Sequence, residues 1–541
     1  MKVFSVAEMV AAEKAADMAG VSYEQMMETA GKAVAEAVMA RWAVAERTVT
    51  VLVGPGNNGG DGLVAGRYLA EAGADVTFYL FKERDPETDS NLAKVMEMGL
   101  FVLNAAFDQR YRVLRTRLNI TDIVIDALLG TGVSRPIGGE LAKLMQHFQA
   151  GLEERRQILA EKQRSTLTSI AAVERASVER GTVSQEVQRP IVAAVDCPSG
   201  LNCDTGAIDP LAVAADLTVT FAGPKRGHFI FPGAAYCGEL VAADIGIDPK
   251  LPEVSGVALE LVTAETARAF LPPRPADGHK GTFGSVLVAA GSAQYWGAPF
   301  LAGKAAYRAG AGLVALAVPG AIRPSIATQL PEATYPLVTA EERLNAESAE
   351  MLSANLSSYK SLLVGPGLGE ADAFLTALLA AESLPPLVID ADGLNILARQ
   401  DNWPDLLPPN TILTPHPGEM ARLMDFSLSE VKEMERVELA RRQAAEWGCV
   451  VLLKGAHTVV AAPDGRCALL PFANPALAVA GSGDVLSGII AALLGQGMGS
   501  YEAAVLGGYL HGAAGTAAGL ESGLLAGEIS DQLPLVRQRL G

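Results

Sequence analysis

The sequence predicts an α/β fold in two domains, each a mainly parallel, doubly wound sheet with helices on both faces in three layers. Short Val- and Ile-rich runs alternate with helix-like stretches along most of the chain, the pattern of strands buried on both faces. Half of the 541 residues are hydrophobic and 19% are charged, more apolar material than one core takes up. The 55 glycines and an aromatic content of 6% suit many tight strand-to-helix turns around small aliphatic side chains.

The first strand candidates are TVTVLVG, ADVTFYLF, DIVIDALLG, PIVAAVD and DLTVTFAG. The opening stretch MKVFSVAEMVAAEKAADMAG carries Glu8, Glu13 and Asp17 within its apolar pattern, which breaks any signal-peptide core and indicates an amphipathic helix of a soluble chain. After the proline-rich LPPRPADG, Leu271 to Gly278, a second series follows: GSVLVAAG, GLVALAVP, SLLVGPG, PLVIDAD, TILTPHP and CVVLLKG. The domains expected are 1–250 and 256–541. Between them in character is the stretch 147–190, charged, glycine-poor and without a strand-like run, which reads as an inserted helical arm or a mobile excursion with no catalytic role. The uncharged run from Val485 to Tyr501 is interrupted by Gly488, Gly495, Gln496 and Gly497 and is too short to span a bilayer, so a buried core helix is expected.

A formal charge of −18 excludes general nucleic-acid or anionic-membrane binding, which needs an electropositive face. Phosphate ligands remain open, because backbone N–H groups and helix N-termini hold them without net positive charge. The cysteines Cys197, Cys203, Cys237, Cys449 and Cys467 form no CxxC pair, so neither a disulfide framework nor a zinc knuckle is expected and a reducing cytoplasm fits.

In VLVGPGNNGGDG, Val51 to Gly62, a strand runs into a loop of small residues and then a helix-like segment, a cradle for phosphate or another anion. The spacing is not GxGxxG, and glycine loops also serve structural turns. The Asn57-Asn58 pair followed by Asp61 favours a ligand, because turn geometry alone does not demand three amide and carboxylate side chains so close together. Two more strand ends carry polar clusters, IDALLGTGVSRP (Ile125 to Pro136) and VDCPSGLNCDTG (Val195 to Gly206). Ligands of open α/β sheets bind at the carboxyl ends of strands, so the three loops are expected to converge.

The order GPGNNGGDG, DALLGTG, VDCPSG and FAGPKRGHFIFPG resembles the NAD(P)H-hydrate epimerase (YjeF N-terminal) family, over residues 1 to 250 apart from the insertion, and implies a Rossmann-like domain. By this resemblance Asn57, Asn58, Gly59, Gly60 and Asp61 bind the hydrated dinucleotide, as do Gly130, Thr131, Gly132, Val133, Ser134, Arg135, Pro136 and Asp196. It also implies Asn58, Asp126 and Ser199 as potassium ligands, oxygen donors suited to a hard cation. For Asp126 and Asp196 the structural alternative is capping of helices. Asp196 is the candidate general acid or base for inversion at the hydrated carbon, with Lys225 as its partner or a phosphate contact, although a lysine is ordinarily only solvated. The insertion departs from the family, as does Cys197 where an aliphatic residue is commoner; a thiol packs there as a small hydrophobe.

In the second half, PFANPALAVAGSGDVLSGIIAALLG sets Gly481, Ser482, Gly483 and Asp484 before a long apolar helix pattern. Glycines admit a phosphate, the helix N-terminus supplies N–H donors, and Asp484 is placed to take a proton from an attacking hydroxyl. An N-cap aspartate in a structural turn is the alternative. Further small-residue loops are GSAQYWGAP, GPGLG, DADGLN, TPHPGE and KGAHT. Together they resemble the ADP/ATP-dependent NAD(P)H-hydrate dehydratase (YjeF C-terminal) family, a branch of the ribokinase-like fold. By this resemblance Ala298, Gly367, His416 and Asp484 contact the hydrated dinucleotide, while Lys454, Gly455, Ala456, His457, Thr458 and Gly483 hold the adenine nucleotide.

What the resemblance implies is a repair enzyme: one half interconverts the R and S forms of hydrated NADH and NADPH, and the other dehydrates the S form. The dehydratase spends ADP or ATP, releasing AMP or ADP and phosphate. Magnesium is expected on the nucleotide, with Asn474 and Glu419 as candidates for its neighbourhood. NAD(P) is then substrate and not cofactor, and a homo-oligomer is expected. The rivals are a ribokinase-type small-molecule kinase, for which GSGD serves equally, and a non-catalytic nucleotide sensor.

Overall fold

A computed structural model describes residues 1–167 and 190–541. They divide into two compact units, Lys2–Val257 and Ala258–Gly541, the latter joined by Met1.

In the first unit seven strands form one sheet: β1 (Thr48–Val53), β2 (Asp75–Leu80), β3 (Phe101–Asn104), β4 (Ile123–Ala127), β5 (Ile191–Val195), β6 (Leu217–Phe221) and β7 (Glu239–Ala243), in the order β3-β2-β1-β4-β5-β6-β7. Every neighbouring pair is parallel, so this is a Rossmann-like doubly wound sheet whose order reverses between β1 and β4, where ligands of such sheets bind. Alternate residues feed opposite layers: Val49, Val51 and Val53 belong to one core, while Leu52, Val124 and Val192 belong to the other. The helix Asn57–Glu71 lies close on the sheet because Gly62 has no Cβ, which would stand 2.4 Å from that of Ala127. The opening helix Val6–Met18 is started by a Ser5/Glu8 capping box and buries Met9, Ala12 and Ala16.

The five central strands are those the apolar runs predict. Strands β3 and β7 are not, since they lie at the edges with at most half-buried side chains, Phe101 being 62% exposed, and so lack the continuous apolar run of a central strand. The first part of the 147–190 stretch extends the helix Gly139–Leu167; positions 168–189 lie outside the described residues.

The second unit holds β8 (Leu259–Leu261), β9 (Ser285–Ala289), β10 (Leu313–Ala317), β11 (Ser361–Val364), β12 (Leu387–Ile389), β13 (Ile412–Leu413), β14 (Val450–Leu453), β15 (Val459–Ala461) and β16 (Cys467–Leu469). They make one nine-stranded sheet, β10-β9-β11-β12-β13-β14-β15-β16-β8. It is parallel except at β14–β15 and β15–β16. The three strands that the apolar runs do not pick out, β8, β15 and β16, are three residues each. In the helix Ser482–Gly495 every residue except Gly483 and Asp484 is buried, so the uncharged run is core helix as far as Gly495, beyond which Gly497 and Gly499 are exposed. Among the described residues no helix is long and apolar enough to cross a membrane.

Candidate active sites

In the first unit the end of β5 delivers Asp196 in a left-handed conformation, φ +64°, which costs a non-glycine residue about 1–3 kcal/mol and is retained mostly at functional positions. Its Oδ1 accepts Lys225 Nζ at 2.6 Å and Thr220 Oγ1 at 2.9 Å. Lys225 Nζ also donates to Thr220 Oγ1 and to the Phe221 carbonyl at 2.8 and 3.2 Å. Lys225 is thus the partner of Asp196 and not merely a solvated lysine: the residue is 1% exposed, and the chain after β6 pairs there with Phe4. Burial by itself raises the Asp196 carboxyl, but the adjoining Lys225 ammonium, with His228 and Thr220, outweighs it and holds the group below the usual carboxylate range.

The helix-capping alternative does not describe Asp196, whose bonds go to side chains. Asp126 does accept two backbone N–H groups, those of Leu128 and Ser199 at 3.3 and 2.9 Å, along with Ser199 Oγ at 2.6 Å. It is fully buried without a salt-bridge partner among the described residues, and burial, only partly offset by these bonds, raises its pKa. Ser199 Oγ also accepts Leu129 N–H at 2.9 Å. Asn58 packs on the next residue, its Oδ1 3.2 Å from where a Cβ on Gly130 would stand, and its buried Nδ2 has no hydrogen-bond partner among the described residues. Three loops thus bring Asn58, Asp126 and Ser199 into one neighbourhood. An uncompensated buried carboxylate beside a hydroxyl and an amide fits an alkali cation in donor chemistry.

Asp61 is buried one turn into the helix Asn57–Glu71, with Gly59 and Gly60, whereas Asn57 is exposed. The loop 130–136 is largely open to solvent, and its residues 132–136 line a cavity of about 650 Å³ with Lys82 and Phe81. Ile137 N–H donates to Asp209 at 2.7 Å, tying this loop to the one that carries Ser199.

In the second unit Gly481 is the left-handed residue that starts the helix Ser482–Gly495. Asp484 lies in the first turn and not at the N-cap, so the capping alternative is overturned: Gly481 takes that position, φ +86°. Lys454, at the end of β14, donates to Asp390 Oδ1 at 2.8 Å and stands 3.4 Å from Glu419 Oε2. A Cβ on Gly483 would stand 3.6 Å from Lys454 Nζ and 3.8 Å from Asp390 Oδ2. Gly483 thus leaves open the space between the helix N-terminus and this ion cluster. Burial, reinforced by Asp390, pushes Asp484 up to about 7 against the pull of Lys454. Burial does the same to Glu419, also to about 7.

Gly367, φ +63°, stacks on the start of the helix Gly297–Arg308, where a Cβ would meet that of Ala298 at 3.0 Å. His416 is an N-cap: its Nδ1 accepts Gly418 and Glu419 N–H at 2.9 and 3.3 Å. Its ring is half-exposed beside Lys454 and Asp390, and burial followed by the Lys454 charge lowers its pKa. The loop Lys454 to Thr458 is held from behind by Arg436, which donates to the carbonyls of Ala456 at 2.6 Å, Leu453 at 3.2 Å and Lys454 at 3.3 Å. Asn474 spends its side-chain oxygen on Ala476 N–H within its own turn. Among the described residues no group of three or more His, Cys, Asp or Glu side chains is arranged to hold a metal.

Residues 286–535 match the family model described as NAD(P)H-hydrate dehydratase, and residues 23–227 match that described as YjeF-related protein N-terminus. The chain is 39% identical over 539 residues to the bifunctional NAD(P)H-hydrate repair enzyme of Moorella thermoacetica, covering 95% of this chain and 92% of the relative. The chain belongs to the bifunctional NAD(P)H-hydrate repair enzyme family. The relative from Thermofilum pendens is 38% identical over 531 residues, 97% of this chain and 93% of its own length. A crystal structure of the ADP/ATP-dependent NAD(P)H-hydrate dehydratase from Bacillus subtilis is 35% identical, with TM-score 0.46, over 52% of this chain and 99% of that one.

This repair-enzyme chain also holds residues at its sites that its sequence motifs do not single out. Asp390 and Asp392 sit at the end of β12 within DADGLN, and the strand-end rule that located the loop was the available signal. Glu13, on the opening helix, and Thr220, inside β6, reach the Asp196 site only through the fold. Arg436 lies on the helix Arg436–Trp447 and carries no local signal at all.

Proposed function

We propose that the first unit epimerises hydrated NAD(P)H at Asp196 and that the second dehydrates the S epimer at Asp484, spending the terminal phosphate of ADP or ATP. The observation that supports it is the convergence of Gly483, Lys454 and Asp390 within 4 Å around the helix N-terminus that carries Asp484. That arrangement offers N–H donors and an ammonium to phosphate oxygens, and a carboxyl poised near neutrality to take the proton of the substrate's ring hydroxyl. Phosphorylation makes the hydroxyl a better leaving group, and elimination restores the reduced nicotinamide. Lys454 to Thr458 and Gly483 hold the nucleotide, while Ala298, Gly367 and His416 face the dinucleotide. Magnesium is carried on the nucleotide phosphates, where it neutralises charge between the transferred and leaving groups.

In the first unit the loops 57–61 and 130–136 bind the dinucleotide, and potassium held by Asn58, Asp126 and Ser199 ties them together. The free, buried thiols of Cys197, Cys203, Cys237 and Cys449 support a cytoplasmic location.

The test is to mix the purified full-length protein with separated S and R hydrates of NADH, ADP and magnesium. Reduced nicotinamide absorbance and AMP are followed, with Asp484→Ala and Asp196→Ala as controls. Both epimers yielding NADH with stoichiometric AMP supports the reading. A stable phosphorylated product identifies a kinase instead, and inert hydrates with either nucleotide reject it.

A further inference from the structure

Doubly wound sheets hold a dinucleotide with its pyrophosphate on the glycine loop after the first strand and its adenosine ribose at the end of the second. There an acidic side chain takes the ribose 2′-hydroxyl, whereas a cation takes a 2′-phosphate. In such sheets the residues after β2 decide between a ligand built like NADH and one built like NADPH. Leu80 pairs with Val53, and Phe81 N–H donates to the Val53 carbonyl at 2.9 Å, so the residues that follow emerge beside the glycine loop. On the other flank of β1, Gly54 N–H donates to the Ala127 carbonyl of β4 at 3.0 Å, which brings the loop after β4 to the same level.

The chain leaves β2 as Phe81, Lys82, Glu83, Arg84 and Asp85, and these charges stand in different surroundings. Arg84 is committed to the glycine loop. Its Nη1 donates to the carbonyls of Gly54 and Gly56 at 2.7 and 3.2 Å, and its Nε to Asp89 Oδ2 at 2.5 Å. Asp85 accepts the Glu87 N–H at 2.9 Å within its own turn. Lys82 instead lines the cavity of about 650 Å³ between this loop, Leu129 after β4 and the start of the helix Gly139–Leu167. It makes no hydrogen bond or ion pair among the described residues. Arg135 belongs to the same lining, whereas Glu83 and Asp85 do not. The acidic member of the lining is Glu140, and its Oε1 accepts Lys143 Nζ at 2.7 Å. The cavity therefore offers a ligand two cations that no carboxylate of the described residues neutralises, at the strand end where the adenosine ribose is expected.

We propose that Lys82 is a specificity-determining residue of the epimerase, which holds the 2′-phosphate of hydrated NADPH in this cavity and so favours that hydrate over hydrated NADH. The inference rests on the epimerase reading of this unit. An ammonium on a flexible stem is a point charge that adapts to phosphate oxygens, and its hydrogen bond to them is charge-assisted at both ends. A 2′-hydroxyl gives no such return, and Lys82 then stays in water. Arg84 cannot make the distinction, because its guanidinium is bonded to loop carbonyls that lie beside the pyrophosphate common to both hydrates. Arg135 adds a second positive charge to the same lining, and the field of the pair draws in the more highly charged ligand.

The experiment uses the full-length protein without ADP, so that only epimerisation is read. Interconversion of the separated R and S hydrates of NADH and of NADPH is followed by chromatography, with the uncatalysed rates subtracted. In the parent, kcat/KM for the NADPH hydrate is expected to exceed that for the NADH hydrate roughly tenfold or more, the worth of a hydrogen bond to a charged group. Lys82→Ala lowers that ratio about tenfold, through KM and not kcat. Lys82→Arg keeps the ratio, and Lys82→Glu reverses it. A variant that fails to fold loses both hydrates together, and the parent alone then decides: adenosine 2′,5′-bisphosphate is expected to inhibit epimerisation at roughly tenfold lower concentration than adenosine 5′-phosphate. A parent that turns over the two hydrates with kcat/KM values within about twofold overturns the proposal while the epimerase reading stands. Equal inhibition by the two nucleotides, or a Lys82→Ala ratio equal to the parent's, does the same. A parent protein that dehydrates the S hydrates once ADP is added but epimerises neither cofactor's hydrate rejects the underlying reading, and the proposal with it.

Discussion

Lys225 Nζ lies 2.6 Å from Asp196 Oδ1 in a pair from which solvent is almost wholly excluded, the lysine being 1% exposed. Removing one partner of a buried ion pair leaves the other charge uncompensated, which costs about 3–5 kcal/mol. Lys225→Met is therefore expected to lower the unfolding free energy of the first unit by about that amount and to abolish epimerisation. Adding Asp196→Leu to Lys225→Met restores most of the stability and none of the activity. Denaturant unfolding of the single and double variants checks this; a single variant that loses less than about 1 kcal/mol contradicts it.

Asp484 is held up to about 7, burial being the main cause and Asp390 the next. A base works only when ionised, so kcat/KM for the S hydrate is expected to rise about tenfold per pH unit below that value and to level off above it. The same shift opposes folding in alkaline solution. A carboxyl whose folded pKa lies above its unfolded one stabilises fully below the unfolded pKa, and that stability is lost as pH rises from about 4 through about 7. Asp484→Asn should consequently melt at a higher temperature than the parent at pH 8 while losing roughly 100-fold or more in dehydration. A variant no more stable than the parent at pH 8 speaks against the raised pKa.

Arg436 bridges the carbonyls of Leu453, Lys454 and Ala456 from behind the loop proposed to hold the nucleotide. A lysine presents one compact charge and cannot reproduce this fork. Arg436→Lys is expected to raise the KM for ADP roughly tenfold, about 1.4 kcal/mol, with kcat changed far less. Steady-state kinetics at saturating hydrate separates the two parameters, and an effect confined to kcat contradicts a positioning role.

The uncompensated Asp126 carboxylate should bind potassium selectively in the folded state. A ligand at 100 times its dissociation constant adds about 2.7 kcal/mol. Replacing potassium by tetramethylammonium at equal ionic strength is thus expected to lower the melting temperature of the first unit, and Asp126→Asn to remove the difference. Coincident melting curves in the two salts for the parent protein argue against the cation.

Much of both sites is legible in the residue order. The apolar runs mark central strands, and the small-residue loops after them fall at carboxyl ends because that is where a doubly wound sheet opens. Asn58, Asp126, Asp196 and Lys454 stand at or just past such strand ends, and Asp484 follows the glycines that open its helix; they are visible for that reason. What only the tertiary structure decides is the state of each group. Whether Lys225 partners Asp196 or is only solvated is decided by its burial against Phe4. Asp484 reads as a base, with a cap as the alternative, until Gly481 takes the cap. Asp61 and Asp196 are both loop aspartates in sequence, yet burial, reinforced by Asp196 and Glu13, raises the one, while the Lys225 ammonium bonded to the other overcomes burial and lowers it. The physical reason is the same throughout: local patterning fixes hydrophobic periodicity and turn chemistry, whereas protonation depends on burial and on charges a few ångströms away, which are brought close by segments distant in the chain.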